Sequence, residues 1–342
     1  MRFAVLLLAS CLAAPVLSAQ HTVPSDGQWL IEPGEHAGTV QLSVRYGERG
    51  HSSNWSRDVP LGEFVGLSAA EMRGSGVTVH FKIVRSAGTL DCDGWFDSGK
   101  GSGHFTYQPN PGFVAELAKR GVNAPTDWEQ FQMTMAGVGL DLVDELARQK
   151  YDRPTAAELA RMATHGVDLE YVRDIGARGY HLSDSESLVR MRDHGVDPEF
   201  IASLNSAGYK DLSAEDLVRV RDHGVNPEFI ASLNSAGYKN LGIEALVRLR
   251  DHGVDEDYIA DMKEMGYAPS DPEDLVESRD HGVDPSYIRS LKEAGFDRLS
   301  LQELRRARDH GVTRGFIQRV KARGYGNPSL DEVIRLRDRG LE

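Results

Sequence analysis

Residues 213–238 read SAEDLVRVRDHGVNPEFIASLNSAGY, and this stretch decides the fold. Ser213 stands where a side-chain oxygen can accept an unpaired first-turn N–H, with Asp216 three residues on to favour the helix dipole. Leu217, Val218 and Val220 supply an apolar face. Gly224 then ends the helix, because glycine takes the left-handed conformation of a C-terminus at little cost. A second helix opens at Asn226-Pro227, a cap followed by proline at the first helical position, where its missing N–H costs nothing. The stretch closes on Gly237-Tyr238.

Outward from this stretch the same residue types return every 29 residues without a slip in register. Gly137, Gly166, Gly195, Gly224, Gly253, Gly282, Gly311 and Gly340 form one column. Tyr151, Tyr180, Tyr209, Tyr238, Tyr267, Phe296 and Tyr325 form another. The capping column is Thr126, Thr155, Asp184, Ser213, Gly242, Asp271, Ser300 and Ser329, with Gly242 its weak member. In the second helix, core positions recur as Phe200, Ile201 and Leu204. Units 181–209 and 210–238 are nearly identical, which points to a late duplication.

Ten-residue helices are marginal alone, so the pattern predicts an alpha solenoid in which stacking buries each unit against its neighbours. Asn110-Pro111, Phe113, Val114, Leu117 and Gly121 fall on the second-helix columns and mark an N-terminal half-unit cap over 110–122. Seven whole units follow over 123–325, and a last first-helix caps the stack over 326–342. Upstream, alternation replaces the long period: Val40, Leu42, Val44 and Tyr46; Val77, Val79, Phe81 and Ile83; Leu90, Cys92 and Phe96; Phe105 and Tyr107. The expected class is α+β, a small antiparallel β domain over 20–109 followed by the helical-repeat domain over 110–342.

Met1 to Ala19 places one Arg before the apolar run Phe3–Leu8 and ends in Ser18 and Ala19, the layout of a signal peptide. The alternative is a lipoprotein box at Leu8-Ala9-Ser10-Cys11, with Cys11 lipid-bearing. No later run reaches the ~20 apolar residues of a membrane span, so the expectation is a secreted or periplasmic chain without membrane insertion. Cys92 would be its one remaining cysteine, which excludes an internal disulfide framework. A formal charge of −13 over 342 residues argues against nucleic-acid partners.

Six histidines, His165, His194, His223, His252, His281 and His310, precede the Gly column. Packed helices lie ~8–10 Å apart, whereas ligands sharing a zinc ion sit ~2 Å from it. The column runs out as Ala136 and Arg339, and Arg replaces a helix-terminal cation but not a metal ligand. The histidines therefore read as structural, and no cofactor or metal is expected. Beside them Arg192-Asp193, Arg221-Asp222, Arg250-Asp251, Arg279-Asp280, Arg308-Asp309 and Arg337-Asp338 form a double ladder. Asp near a helix C-terminus opposes the dipole, so a partner is expected in the next unit, Arg of one rung bonding Asp of its neighbour. Glu186 with Arg190, Glu215 with Arg219 and Glu244 with Arg248 read as i, i+4 surface pairs.

HExxH, GxSxG and Walker signatures are missing, Asp91-Cys92-Asp93-Gly94 lacks the further ligands of a calcium loop, and His80 with His104 could share one sheet face. The expected protein is not an enzyme. Where units differ, Asp255, Glu256, Asp257, Asp261, Glu264, Asp271, Glu273, Asp274 and Glu277 make two units acidic. Arg305, Arg306, Arg314, Arg319, Lys321 and Arg323 make the end basic. Asp255, Glu256, Asp257, Asp261, Glu264, Glu273, Asp274 and Glu277 are the candidate surface for a protein partner.

The unit quoted at the outset resembles the short helical repeats of bacterial envelope proteins, including regions attached to BlaR-type sensor metallopeptidases. The resemblance covers about two thirds of the chain and rests on RDHGV, Pro, the apolar pair and GY. It implies a bacterial envelope setting and a link to peptidase-based sensing, but the metallopeptidase motif and membrane helices of that family are missing from this chain. The expected function is a non-catalytic protein-interaction scaffold. The alternatives are a regulatory or sensory module of an envelope peptidase or receptor system, and an enzyme with its site in the β domain.

Overall fold

Alternating apolar residues between positions 26 and 109 build one seven-stranded antiparallel sheet, curled into a half-barrel. A computed structural model describes residues 23, 25–34, 36–48, 51–180 and 182–341. The signal-peptide and lipoprotein-box readings fall on residues outside these. Strands β1 (Asp26–Pro33), β2 (Thr39–Glu48), β3 (His51–Pro60), β4 (Phe64–Val65), β5 (Ser75–Val84), β6 (Gly88–Asp97) and β7 (Lys100–Pro109) stand in the order β3-β2-β1-β7-β6-β5-β4. The expected meander is β5-β6-β7. Strand β1 joins it to β2 by pairing with both β2 and β7, while β3 and β4 form the two edges, beside β2 and β5.

One sheet face is the core, with Trp29, Ile31, Leu42, Phe81, Phe96 and Phe105 nearly inaccessible. The curl depends on glycine facing aromatic rings. A Cβ on Gly94 would lie 2.4 Å from Trp29 Cζ2, one on Gly101 2.6 Å from Phe96, and one on Gly27 2.6 Å from Phe105. The Trp29 indole therefore fills space that side chains on β6 and β7 would occupy, and its Nε1 donates to the carbonyls of Asp93 and His104.

Helices follow the sheet: α1 (Ala69–Arg73) lies within it in sequence, then α2 (Pro111–Lys119), α3 (Asp127–Ala136), α4 (Leu140–Arg148), α5 (Ala156–Thr164) and α6 (Leu169–Ala177). Next come α7 (Ser185–Asp193), α8 (Pro198–Ser206), α9 (Ala214–Asp222), α10 (Pro227–Ala236), α11 (Ile243–Asp251) and α12 (Glu256–Glu264). The last are α13 (Glu273–Asp280), α14 (Pro285–Glu293), α15 (Leu301–Asp309), α16 (Arg314–Val320) and α17 (Leu330–Asp338). No helix of the described residues is long and apolar enough to cross a membrane.

The chain divides into two compact units, and the division falls within α4. One holds the described residues up to Asp144 together with Arg153–Thr164; the other holds Glu145–Asp152 and everything described from His165 on. Within the first, Phe131 and Met135 of α3 are buried in the sheet core. Gln130 Nε2 donates to the carbonyls of Ala87 and Asn110, and Arg85 donates to the C-terminal carbonyls of Thr134 and Met135.

Caps appear where the sequence places them. Side chains of Thr126, Asp184, Ser213, Ser300 and Ser329 accept first-turn N–H groups, and Gly242 makes no such bond. At Asp271 the helix starts later, and its carboxylate accepts from Glu273 N at 3.0 Å. Every glycine of the 137–340 column is left-handed, with φ between 65° and 77°.

In the second unit Glu145 is buried and bonded to Arg148 and to the Gln149 amide at 2.6 Å. The Arg148 guanidinium leads in holding its carboxyl down to about 2, with Gln149 and Arg173 assisting. A lowered folded value stabilises the protein above the unfolded carboxylate value of about 4.3, and that stability is lost as pH falls from there through about 2. Glu145→Gln is expected to melt below the parent at neutral pH, with the gap closing as pH falls from 5 to 2.5. Thermal melts across that range check it, and a constant gap refutes the assignment.

Candidate functional site

The repeated charged residues of the second unit bond between successive 29-residue stretches. The Asp ladder takes its partner from the histidine column. Nδ1 of His165, His194 and His223 meets Oδ1 of Asp193, Asp222 and Asp251 at 2.7, 2.8 and 2.5 Å. His252, His281 and His310 do the same with Asp280, Asp309 and Asp338 at 2.8, 2.6 and 2.7 Å. An ionised carboxylate only accepts, so each Nδ1 is the donor. Each His stands at a helix C-terminus, and its bond compensates an Asp that the next helix's dipole disfavours. These rungs are half-exposed, so each contributes about 0.2–1 kcal/mol.

The expected Arg-to-Asp rung is thus corrected. Arg192, Arg221, Arg250, Arg279, Arg308 and Arg337 lie over the rings of Tyr171, Phe200, Phe229, Tyr258, Tyr287 and Phe316, at 4.7–5.1 Å from the centroids. A flat guanidinium stacks on an aromatic face better than it serves a carboxylate already held by His. Arg250 Nε also donates to Gly224 O at 3.0 Å, capping the preceding helix. The rings are buried, and the hydroxyls of Tyr171, Tyr258 and Tyr287 donate to the carbonyls of Val196, Val283 and Val312.

The expected i, i+4 pairs also run between stretches. Arg190 bonds Glu215 at 2.9 Å, Arg219 bonds Glu244, Arg248 bonds Glu273 and Arg306 bonds Asp331. Glu277 breaks this column, standing in the position of Arg190, Arg219, Arg248 and Arg306. There Arg305 reaches back to Asp274 at 3.2 Å and Glu277 at 3.0 Å.

This settles where the acidic candidates lie. Asp255 caps α12 through Tyr258 N, Glu256 bonds Arg250 at 2.9 Å, and Glu273, Asp274 and Glu277 are held by Arg248 and Arg305. Asp257, Asp261 and Glu264, all on α12, have no side-chain partner among the described residues. The basic end is engaged in turn: Arg314 pairs with Glu293, and Lys321 Nζ donates to Ala294 O.

Within the first unit, burial and the neighbouring Asp91 and Asp93 push the Cys92 thiol far up, which leaves no thiolate for nucleophilic work. His80 and His104 share the outer face of the sheet, as the sequence suggested, with Asp93 between them in register. His80 Nδ1 bonds Asp93 at 2.9 Å, while Asp91 is held by Lys82 at 2.8 Å and His80 at 3.3 Å. Among the described residues no three His, Cys, Asp or Glu side chains lie close enough to hold a metal ion.

That outer face also carries a groove of about 880 Å³ crossing from Asn54 on β3 to Thr78 on β5. Trp95 and Leu30 stand 52% and 42% exposed along it. Neither was singled out from the sequence; the readable signal was that Trp95 sits out of phase with Leu90, Cys92 and Phe96. No protein-family model matches the chain, and no curated protein matches it.

Proposed function

We propose that the helical portion is an alpha solenoid serving as a non-catalytic protein-interaction scaffold of the bacterial envelope or secreted space. One observation carries this reading: the repeated His, Arg, Asp and Glu side chains are engaged with one another from stretch to stretch. Residues that hold a stack together are poor candidates for chemistry. Of the acidic candidates, Asp257, Asp261 and Glu264 on α12 are the ones without a side-chain partner among the described residues, and no other stretch carries acid at all three of these positions; such a surface favours a basic protein partner.

Charge reversal tests it. Asp257→Lys/Asp261→Lys/Glu264→Lys is expected to fold as the parent does, within about 0.5 kcal/mol. It should also lose the envelope proteins that the parent captures in pull-down. Retention of every captured protein by the reversed variant refutes the α12 surface.

A further inference from the structure

We propose that the outer face of the sheet binds a saccharide carrying a carboxylate, with its ring between Trp95 and Leu30 and its acid group on Arg45. The proposal does not depend on the function of the helices. Leu30 of β1 and Trp95 of β6 both pair in register with Ser102 of β7, so two apolar plates flank one small residue. With strands about 4.8 Å apart, the plates stand about 10 Å from each other, room for one sugar ring. Between the plates the groove is lined by the backbone of Gly94 and Gly103, with the Trp29 ring on the core side of these glycines also reaching its lining.

Two residues along each strand, a second register row holds Asn54, Arg45, Gln28, His104 and Asp93 side by side across five strands. Asn54 and Gln28 offer both donors and acceptors and Asp93 offers acceptors, the mixture that hydroxyl groups need. An indole face beside such a row suits a ligand that is apolar on one side and polar on its rim.

Charge decides which saccharide. Asp93 has Oδ1 on His80, which partly offsets its charge and leaves Oδ2 to accept, and Asp91 is paired with Lys82 and His80. The Arg45 guanidinium lines the groove with no side-chain partner among the described residues. An unpaired arginine is the group best shaped for a carboxylate, which it can take through two parallel N–H donors.

The probe is trigalacturonate, titrated calorimetrically into the full chain with tryptophan fluorescence followed in parallel; cellotriose and a short poly-glutamate are the comparison ligands. The expected result is saturable binding of trigalacturonate with a fluorescence change, and weaker binding of both comparison ligands. Trp95→Ala should weaken trigalacturonate by about tenfold, and Arg45→Gln should weaken it while leaving cellotriose unchanged. Circular dichroism melts of both variants confirm that they fold; these are exposed positions. No binding of trigalacturonate, equal binding of poly-glutamate, or binding that survives Trp95→Ala overturns the proposal.

Discussion

Gly103→Val is expected to destabilise the sheet by about 3 kcal/mol or more, the upper end of what overpacking costs. A Cβ there would lie 2.0 Å from Asp93 O, 2.7 Å from Gly94 Cα and 2.8 Å from Trp29 Cε2. Two of these are backbone atoms of the paired strand and cannot rotate away. The third belongs to an indole that is 2% exposed and held by two carbonyls. Gly62→Ala, where nothing lies within 4 Å, is the control and should change stability by less than about 0.5 kcal/mol. Urea denaturation followed by tryptophan fluorescence measures both. A valine variant within 1 kcal/mol of the parent would show that the sheet does not need the indole in that place.

Phe229→Ala should cost about 3–5 kcal/mol, the loss expected for a large buried ring. Phe229 is inaccessible to solvent, and Arg250 lies 4.8 Å above its centroid while also bonding Gly224 O. Truncation therefore removes both the packing and the platform on which the arginine reaches the neighbouring helix end. Phe229→Tyr is the matched control. Tyr171, Tyr258 and Tyr287 occupy the same column, and each donates its hydroxyl to the valine carbonyl 25 residues on. For Phe229 that acceptor is Val254 O, so tyrosine should be nearly neutral. Helix circular dichroism through a denaturant series separates the outcomes. Equal loss in both variants would mean that the position tolerates no hydroxyl and that the column is not interchangeable.

Caps and glycines were legible because they depend on a few consecutive residues. Ser213 needs only Asp216 N nearby, and Gly224 only a backbone with positive φ. The bonds between stretches were half legible. The periodicity announced that Asp193 through Asp338 need partners, and it placed His and Arg side by side as candidates. Which one turns toward the carboxylate depends on side-chain direction across 28 residues, and no local rule contains that. His wins the carboxylate, and Arg goes to the ring.

The sheet shows the same limit. β2 and β5–β7 announce themselves by alternation, whereas β3 reads HSSNWSRDVP, a polar edge strand with two large apolar residues. Gln130 was equally hidden. It stands in the column that carries Leu217 and is buried because it donates to two carbonyls of the sheet unit. The acidic candidates were found by composition alone, which cannot separate Glu273, clamped by Arg248, from Asp261, half-buried and without a side-chain partner among the described residues.

The bonds linking the recurring helices join residues 21 to 32 positions apart. Among the described residues no longer-range bond clamps such a segment, so tension pulling on its two ends would be borne by one neighbouring set of His, Arg and ring contacts at a time. Each 29-residue stretch that lets go would release about 10 nm of extended chain. The helical part would thus yield in successive small lengths under load, whereas the sheet, whose β1 and β7 pair residues 70 to 80 positions apart, would give way as a whole.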